Sequence, residues 1–265
     1  MYNFNYQRPG SADAALSALG GAEDGKLLAG GMTLLPTMKQ RLAQPSDLID
    51  LGGVSDLSGI SQEGNAVVVK AMTRHVEVAT SDVVRAAIPA LADLVGLIGD
   101  PQVRNRGTIG GSVANADPAA DYPAAVLGLG ATVTTNSRTI AADDFFTGLF
   151  ETALAEDEMI TSVSFPVPKR AAYMKFPNPA SRYAIVGVMV AETDAGVRVA
   201  VTGAGANAFR VSEMEQALAG NFSADAVAGI SVSDDGLNSD IHASAEYRAH
   251  LVTVMAKRAV AAAAG

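Results

Sequence analysis

The chain has 265 residues, 49% of them hydrophobic, with 28 acidic against 19 basic side chains and a net charge of −9. That balance disfavours a nucleic-acid partner, because neutralising phosphates takes a Lys/Arg surface, and it leaves an anionic ligand to be held mainly by backbone N–H groups. Cysteine is absent, which excludes disulfides, iron–sulfur ligation and a catalytic thiol within this chain.

In chain order, Ser11 is placed to cap a helix over 12–19, closed by Gly20-Gly21. Residues 26–29 read as a short buried strand running into Gly30-Gly31. Thr33 then caps a predicted helix over 34–42, with Pro36 tolerated in its first turn. Another short strand covers 48–51. Residues 66–70 form a β-rich run, and 83–97 carry the apolar face of one helix, broken at Asp100-Pro101. A loop rich in glycine and asparagine leads to a helix over 122–127. Residues 131–140 read as a hairpin around Asn136-Ser137, and 159–167 as a strand ending at Pro166 and Pro168. Farther on, 183–192 and 197–202 flank Asp194-Ala195-Gly196, a short-hairpin signal. Ser212 is placed to cap 213–218, and Ser244 to start a long amphipathic helix through Tyr247, Leu251, Met255 and Ala259. Strands followed by helices suggest a separate α+β unit after the two prolines.

The three histidines, His75, His242 and His250, are scattered without metal-ligand spacing and read as surface or helix-face residues. No stretch approaches the ~18 unbroken apolar residues of a membrane span. The start lacks a basic region followed by an apolar one, so a cytoplasmic, non-spanning protein is expected.

Two segments stand out chemically. In Leu28-Ala29-Gly30-Gly31-Met32-Thr33-Leu34, a strand meets paired glycines and a capped helix. Such glycines let backbone approach a ligand closely, and a helix start offers free N–H groups to an anion. The pattern is neither a Rossmann fingerprint nor a Walker loop, and alone an ordinary turn explains it as well. The second segment, residues 105–121, holds Thr108-Ile109-Gly110-Gly111-Ser112, then Asn115 and Asp121. Its many alanines beside polar groups fit closely packed backbone lining a ligand better than a plain surface loop.

Together the two segments resemble the paired FAD-binding signatures of the medium, flavoprotein subunits of molybdenum hydroxylases, the carbon monoxide dehydrogenase and xanthine dehydrogenase group. Ala29 to Leu34 match the first motif; Thr108 to Ser112, with Asp-Pro-Ala-Ala-Asp at 117–121, match the second. The similarity runs over essentially the whole chain, and the carbon monoxide dehydrogenase type is nearest in flavour. One departure is Met32, where the family often has His, Gln or Asn.

The resemblance implies an α+β protein. A two-lobed FAD-binding domain (PCMH/vanillyl-alcohol-oxidase-like) covers 1–166, split near 52, and a smaller α+β C-terminal domain covers 167–265. It also implies roles. Residues 29–33 and 108–112 cradle the pyrophosphate, and Asn115 and Asp121 lie near the ribose and adenosine half. Ile160 and Lys175 lie near the flavin, and Tyr183 over its ring system. Read as residues only, Lys175 fits a solvated strand end, Tyr183 a core edge, Asp121 a helix cap and Ile160 plain core. The implied partners are a large molybdopterin-binding subunit and a small subunit with [2Fe–2S] clusters, forming a dimer of heterotrimers that passes electrons through FAD to an external acceptor. The rival readings are a stand-alone FAD-dependent small-molecule oxidoreductase and a non-catalytic assembly protein.

Overall fold

The computed structural model describes residues 1–265. Its first lobe is a small parallel sheet in which strand Asp47–Asp50 lies between Asn5–Gln7 and Gly25–Leu28. Helix Ala12–Gly20 packs on this sheet, and the Ser11 hydroxyl accepts from the Ala14 amide at its start, as its sequence position requires. Helix Leu34–Lys39 is shorter than expected and ends before Arg41, which has φ +62°. Thr33 has helical backbone angles and makes no capping bond.

The second lobe is built on a five-stranded antiparallel sheet ordered Ile60–Glu63, Ala66–Lys70, Ile160–Pro166, Thr132–Thr135 and Thr139–Ala141. The helix predicted over 83–97 is two helices, Asp82–Ala87 and Pro89–Gly96. Pro89 has no N–H to continue a helix and pushes Ile88 out of helical angles, to φ −138° and ψ 69°. The loop expected before residue 122 contains two short helices, Pro101–Arg104 and Ile109–Asn115.

The remainder is a four-stranded antiparallel sheet ordered Arg170–Pro177, Ala184–Thr193, Gly196–Thr202 and Phe209–Arg210. Strand Arg170–Pro177 lacks clean alternation, so the sequence points only to a strand end at Lys175; pairing with Ala184–Thr193 sets its full extent. Helix Ser212–Gly220 includes Ser212 as its first residue and has no side-chain cap. Helix Ala245–Ala264 starts, as expected, at Ser244, whose hydroxyl accepts from the Tyr247 amide.

Three buried clusters organise this arrangement. One joins Ala15, Ile49 and Leu51 of the first lobe to Met159. The largest fills the second lobe and takes in Tyr173, Met189 and Ala200 from one face of the last sheet. The third lies between that sheet's other face and the long helix. No helix is long and apolar enough to cross a membrane.

Candidate functional site

The two glycine segments meet. Gly30 lies so close to the Arg106 carbonyl and Gly107 that a Cβ there would collide with backbone, and Gly31 has φ +74°, a conformation that favours glycine. These two positions turn the chain out of strand Gly25–Leu28 and against the second lobe. The amides of Gly30, Gly31, Met32, Thr33 and Leu34 consequently donate to no group of the protein. They are a row of unpaired donors, and the uncapped Thr33 hydroxyl stands beside them.

The second segment is arranged differently. Thr108 caps helix Ile109–Asn115 by accepting from the Gly111 amide at 3.2 Å. The Ile109 amide donates to the Thr73 carbonyl at 3.1 Å and the Gly110 amide to the Ala71 carbonyl at 2.8 Å. A Cβ on Gly110 would lie 2.6 Å from the Ala71 Cβ, so this glycine serves helix-to-sheet packing. The segment therefore presents side chains, chiefly Ser112 and Asn115, to the cleft.

Both segments line a cleft of about 560 Å³, within the range of small-molecule sites. Of the residues singled out from sequence, Ala29, Gly30, Gly31, Met32, Thr33, Leu34, Thr108, Gly110, Gly111, Ser112, Asn115, Asp121, Ile160 and Tyr183 line it. Leu28, Ile109 and Lys175 do not. Leu28 packs beneath Gly31, Ile109 is fully buried in the second-lobe core, and Lys175 lies behind Asp121.

The cleft has two flanks. Leu51, Met72, Met159 and Ile160 form an apolar one; Ile98, Gly99, Asp117, Asp121, Arg182 and Tyr183 form a polar one. Helix Ile109–Asn115 runs between them, since its start is bonded to Ala71, whose amide donates to the Thr161 carbonyl, while its end leads to Asp117 and Asp121. Seven helical residues span about 10 Å.

Lys175 is no free cation. Its ammonium donates to Asp121 Oδ2 at 2.8 Å and to the Leu97 carbonyl at 3.2 Å, and Tyr173 donates to Asp121 Oδ1 at 2.6 Å. The ion pair is buried on both sides. Burial raises the Asp121 carboxyl above its ordinary value, against the pull of the Lys175 ammonium and the Tyr173 hydroxyl. Burial also raises Asp117, and burial together with Asp117 and Asp121 raises the Tyr183 phenol. Tyr183 is 42% exposed and places its hydroxyl beside Thr33, so the C-terminal sheet reaches over the first glycine loop. Glu158 also faces the cleft, but Arg138 and the hydroxyls of Thr135 and Ser137 hold its carboxyl well below the usual range. It is a structural anion.

Sequence reasoning missed His75. It lies on a helix, at the start of His75–Thr80, but is only 4% exposed, lines the cleft, and packs tilted against the Tyr122 ring with centroids 5.4 Å apart. Burial, helped by the Arg104 charge, holds its imidazole down at about 4. Nothing in its sequence neighbourhood announced this, because it is tertiary contact with Gly107 and Tyr122 that buries it. Asp117, by contrast, was legible within the second motif.

A cleft between two lobes, floored by glycine segments and offering a run of unpaired amides beside Ser112, has the features of a site for a phosphate-bearing cofactor. The family described as the FAD-binding domain in molybdopterin dehydrogenase matches residues 2–168, and the carbon monoxide dehydrogenase flavoprotein C-terminal domain matches residues 171–263. The nicotine 6-hydroxylase medium subunit of Paenarthrobacter nicotinovorans is 38% identical over 96% of this chain and 95% of its own length. The carbon monoxide dehydrogenase medium chain of Hydrogenophaga pseudoflava is 37% identical over 98% and 96%. A solved carbon monoxide dehydrogenase from that organism, lacking the Mo-pyranopterin moiety, superimposes with a TM-score of 0.90 at 37% identity, covering 99% of this chain and 97% of that one. This chain belongs to the family of FAD-binding medium subunits of molybdenum hydroxylases.

Proposed function

We propose that this chain is the flavoprotein electron relay of a molybdenum hydroxylase complex. It would work beside a large molybdopterin-binding subunit and a small subunit with [2Fe–2S] clusters, in a cytoplasmic dimer of heterotrimers. The observation that carries this reading is the row of five unpaired amides, Gly30 to Leu34, facing a cleft of about 560 Å³. An acidic protein holds a pyrophosphate best in this way, because N–H dipoles bind the dianion without a basic pocket. When bound, FAD supplies the chemistry of taking electrons from the clusters and releasing them to an external acceptor.

The chain's own residues bind and orient. The amides of Gly30 to Leu34, together with Ser112 and the Thr108 amide, would hold the pyrophosphate. Asp121 touches Lys175, so the two cannot serve opposite ends of an extended FAD. We assign both, with Tyr183, to the isoalloxazine flank, and Ile160 with Met159 and Met72 to the adenine flank. This reverses the sequence-based placement of Asp121 and of Ile160. Lys175 then acts as half of an ion pair: it positions Asp121 and supplies a dipole more than a net positive charge. The division into an FAD-binding domain over 1–166, split near 52, and a domain over 167–265 is part of the same proposal; the first strand pairing of the last sheet begins at Arg170.

The test is the identity of the released flavin. Denaturing the purified chain and separating the supernatant by chromatography is expected to yield FAD. FMN, which has no pyrophosphate, or a nicotinamide nucleotide in its place would overturn the reading of the amide row.

A further inference from the structure

A second cavity, of about 380 Å³, adjoins the cleft, and Ala29, Gly30, Leu51, Met72 and Thr108 line both. Three arginines converge on it: Arg8 from the first lobe, and Arg74 and Arg106 from the second. The Arg8 guanidinium is fixed by the Gly52 carbonyl at 3.1 Å and by Asp50 at 3.7 Å. The side chains of Arg74 and Arg106 have no ion-pair partner in the chain. Two carboxylates also line the cavity, and both are occupied. Asp50 accepts from the Tyr6 hydroxyl at 2.6 Å and the Gly52 amide at 2.8 Å, and Glu77 accepts from the Arg74 amide at 2.8 Å.

We infer that this cavity is a second anion site, which takes a small phosphate-type oxyanion and clamps the two lobes at the contact between the glycine segments. In a chain of net charge −9, three arginines against two engaged carboxylates form a local positive focus. A guanidinium fork matches the oxygens of a phosphate or carboxylate bidentately. The small, mostly polar cavity, at which all three arginines remain exposed, admits a small anion from solvent. The position couples it to the first cleft. Arg106 carries the carbonyl against which Gly30 packs, and Arg74 forms a β-bridge with Thr108. An anion shared by Arg8, Arg74 and Arg106 therefore holds together the backbone that presents the amide row.

The experiment uses the full chain with its FAD content measured beforehand, so that the first cleft is filled and a failure of the FAD reading is seen separately. Inorganic phosphate is titrated calorimetrically with chloride holding ionic strength constant, and FAD dissociation is followed by flavin fluorescence. One saturable phosphate site per chain is expected, together with FAD release slowed by about fivefold or more, the lower end of typical coupling between sites. Arg74→Gln combined with Arg106→Gln is expected to remove both effects and leave FAD content without phosphate at the wild-type level. No saturable binding, or the same binding in the double variant, would overturn the inference. So would phosphate that expels FAD, which would give the arginines to the cofactor site. A double variant that binds phosphate normally but fails to join the partner subunits would give them to an interface instead.

Discussion

The two glycine segments carry nearly the same letters, a Gly-Gly pair beside a hydroxyl residue, yet the fold uses them in opposite ways. Around Gly30-Gly31 the backbone is left open, with five consecutive amides unpaired. Around Gly110-Gly111 the amides are engaged by Ala71, Thr73 and Thr108, and the segment is wedged between the second-lobe sheet and the C-terminal domain. The Pro118 carbonyl receives the Gly203 amide, and the Ala119 carbonyl the Ala184 amide. An open amide row is free to meet a ligand; a satisfied one is a structural wall that positions side chains. Substitutions in or under the second segment are therefore expected to cost stability, and those in the first to cost cofactor retention.

The largest expected effect lies under the second segment. Lys175→Met leaves Asp121 buried without its cation, and losing one partner of a buried pair costs about 3–5 kcal/mol. Urea denaturation measures it. Adding Asp121→Asn to Lys175→Met should recover much of the loss, whereas a single-variant cost below about 1 kcal/mol would show that Asp121 does not depend on this ammonium.

His75 supplies the pH counterpart. Its imidazole titrates at about 4 in the folded chain and near 6.5 when unfolded. Between those values the unfolded state binds the extra proton. The contribution of about 3 kcal/mol is accordingly complete above pH ~6.5 and disappears as pH falls towards ~4. Stability measured across that window should fall with acidity, and His75→Leu should flatten the slope. An unchanged slope would place the titration elsewhere.

Gly110→Ala is next. The new methyl would sit 2.6 Å from the Ala71 Cβ, and overpacking of this kind costs about 1–3 kcal/mol. Thermal unfolding should show the loss in protein freed of flavin as well as in loaded protein. A loss confined to the loaded form would make Gly110 a cofactor contact after all.

The smallest effects make the sharpest contrast. Thr108→Ala removes a cap on the Gly111 amide, worth about 0.5–2 kcal/mol. Thr33→Ala removes no such bond, so its stability should stay within about 0.5 kcal/mol of the parent while FAD dissociates faster. The opposite pattern, with Thr33 stabilising and Thr108 silent, would break the distinction between the two segments.

Local signals were legible wherever one residue type decides a local conformation. Ser11 and Ser244 cap the helices their positions announced, and the turn at Asp194-Ala195 joins the strands it was expected to join. The extent of the strand beginning the last sheet, Arg170–Pro177, was not legible beyond a strand end at Lys175, because its mixed polar and apolar side chains become a strand only when a neighbour pairs with them. The site divides in the same way. Paired glycines with flanking hydroxyls marked both segments, since close backbone approach restricts residue type locally. Which segment keeps its amides free depends on whether Ala71 and Thr73 present carbonyls to it. That Lys175 meets Asp121, 54 residues away, and that Gly107 and Tyr122 bury His75, depends on how the lobes pack. Hydrogen-bond partners and burial are properties of distant backbone brought together, so tertiary structure alone decided that one glycine pair keeps its amides open and the other has them engaged.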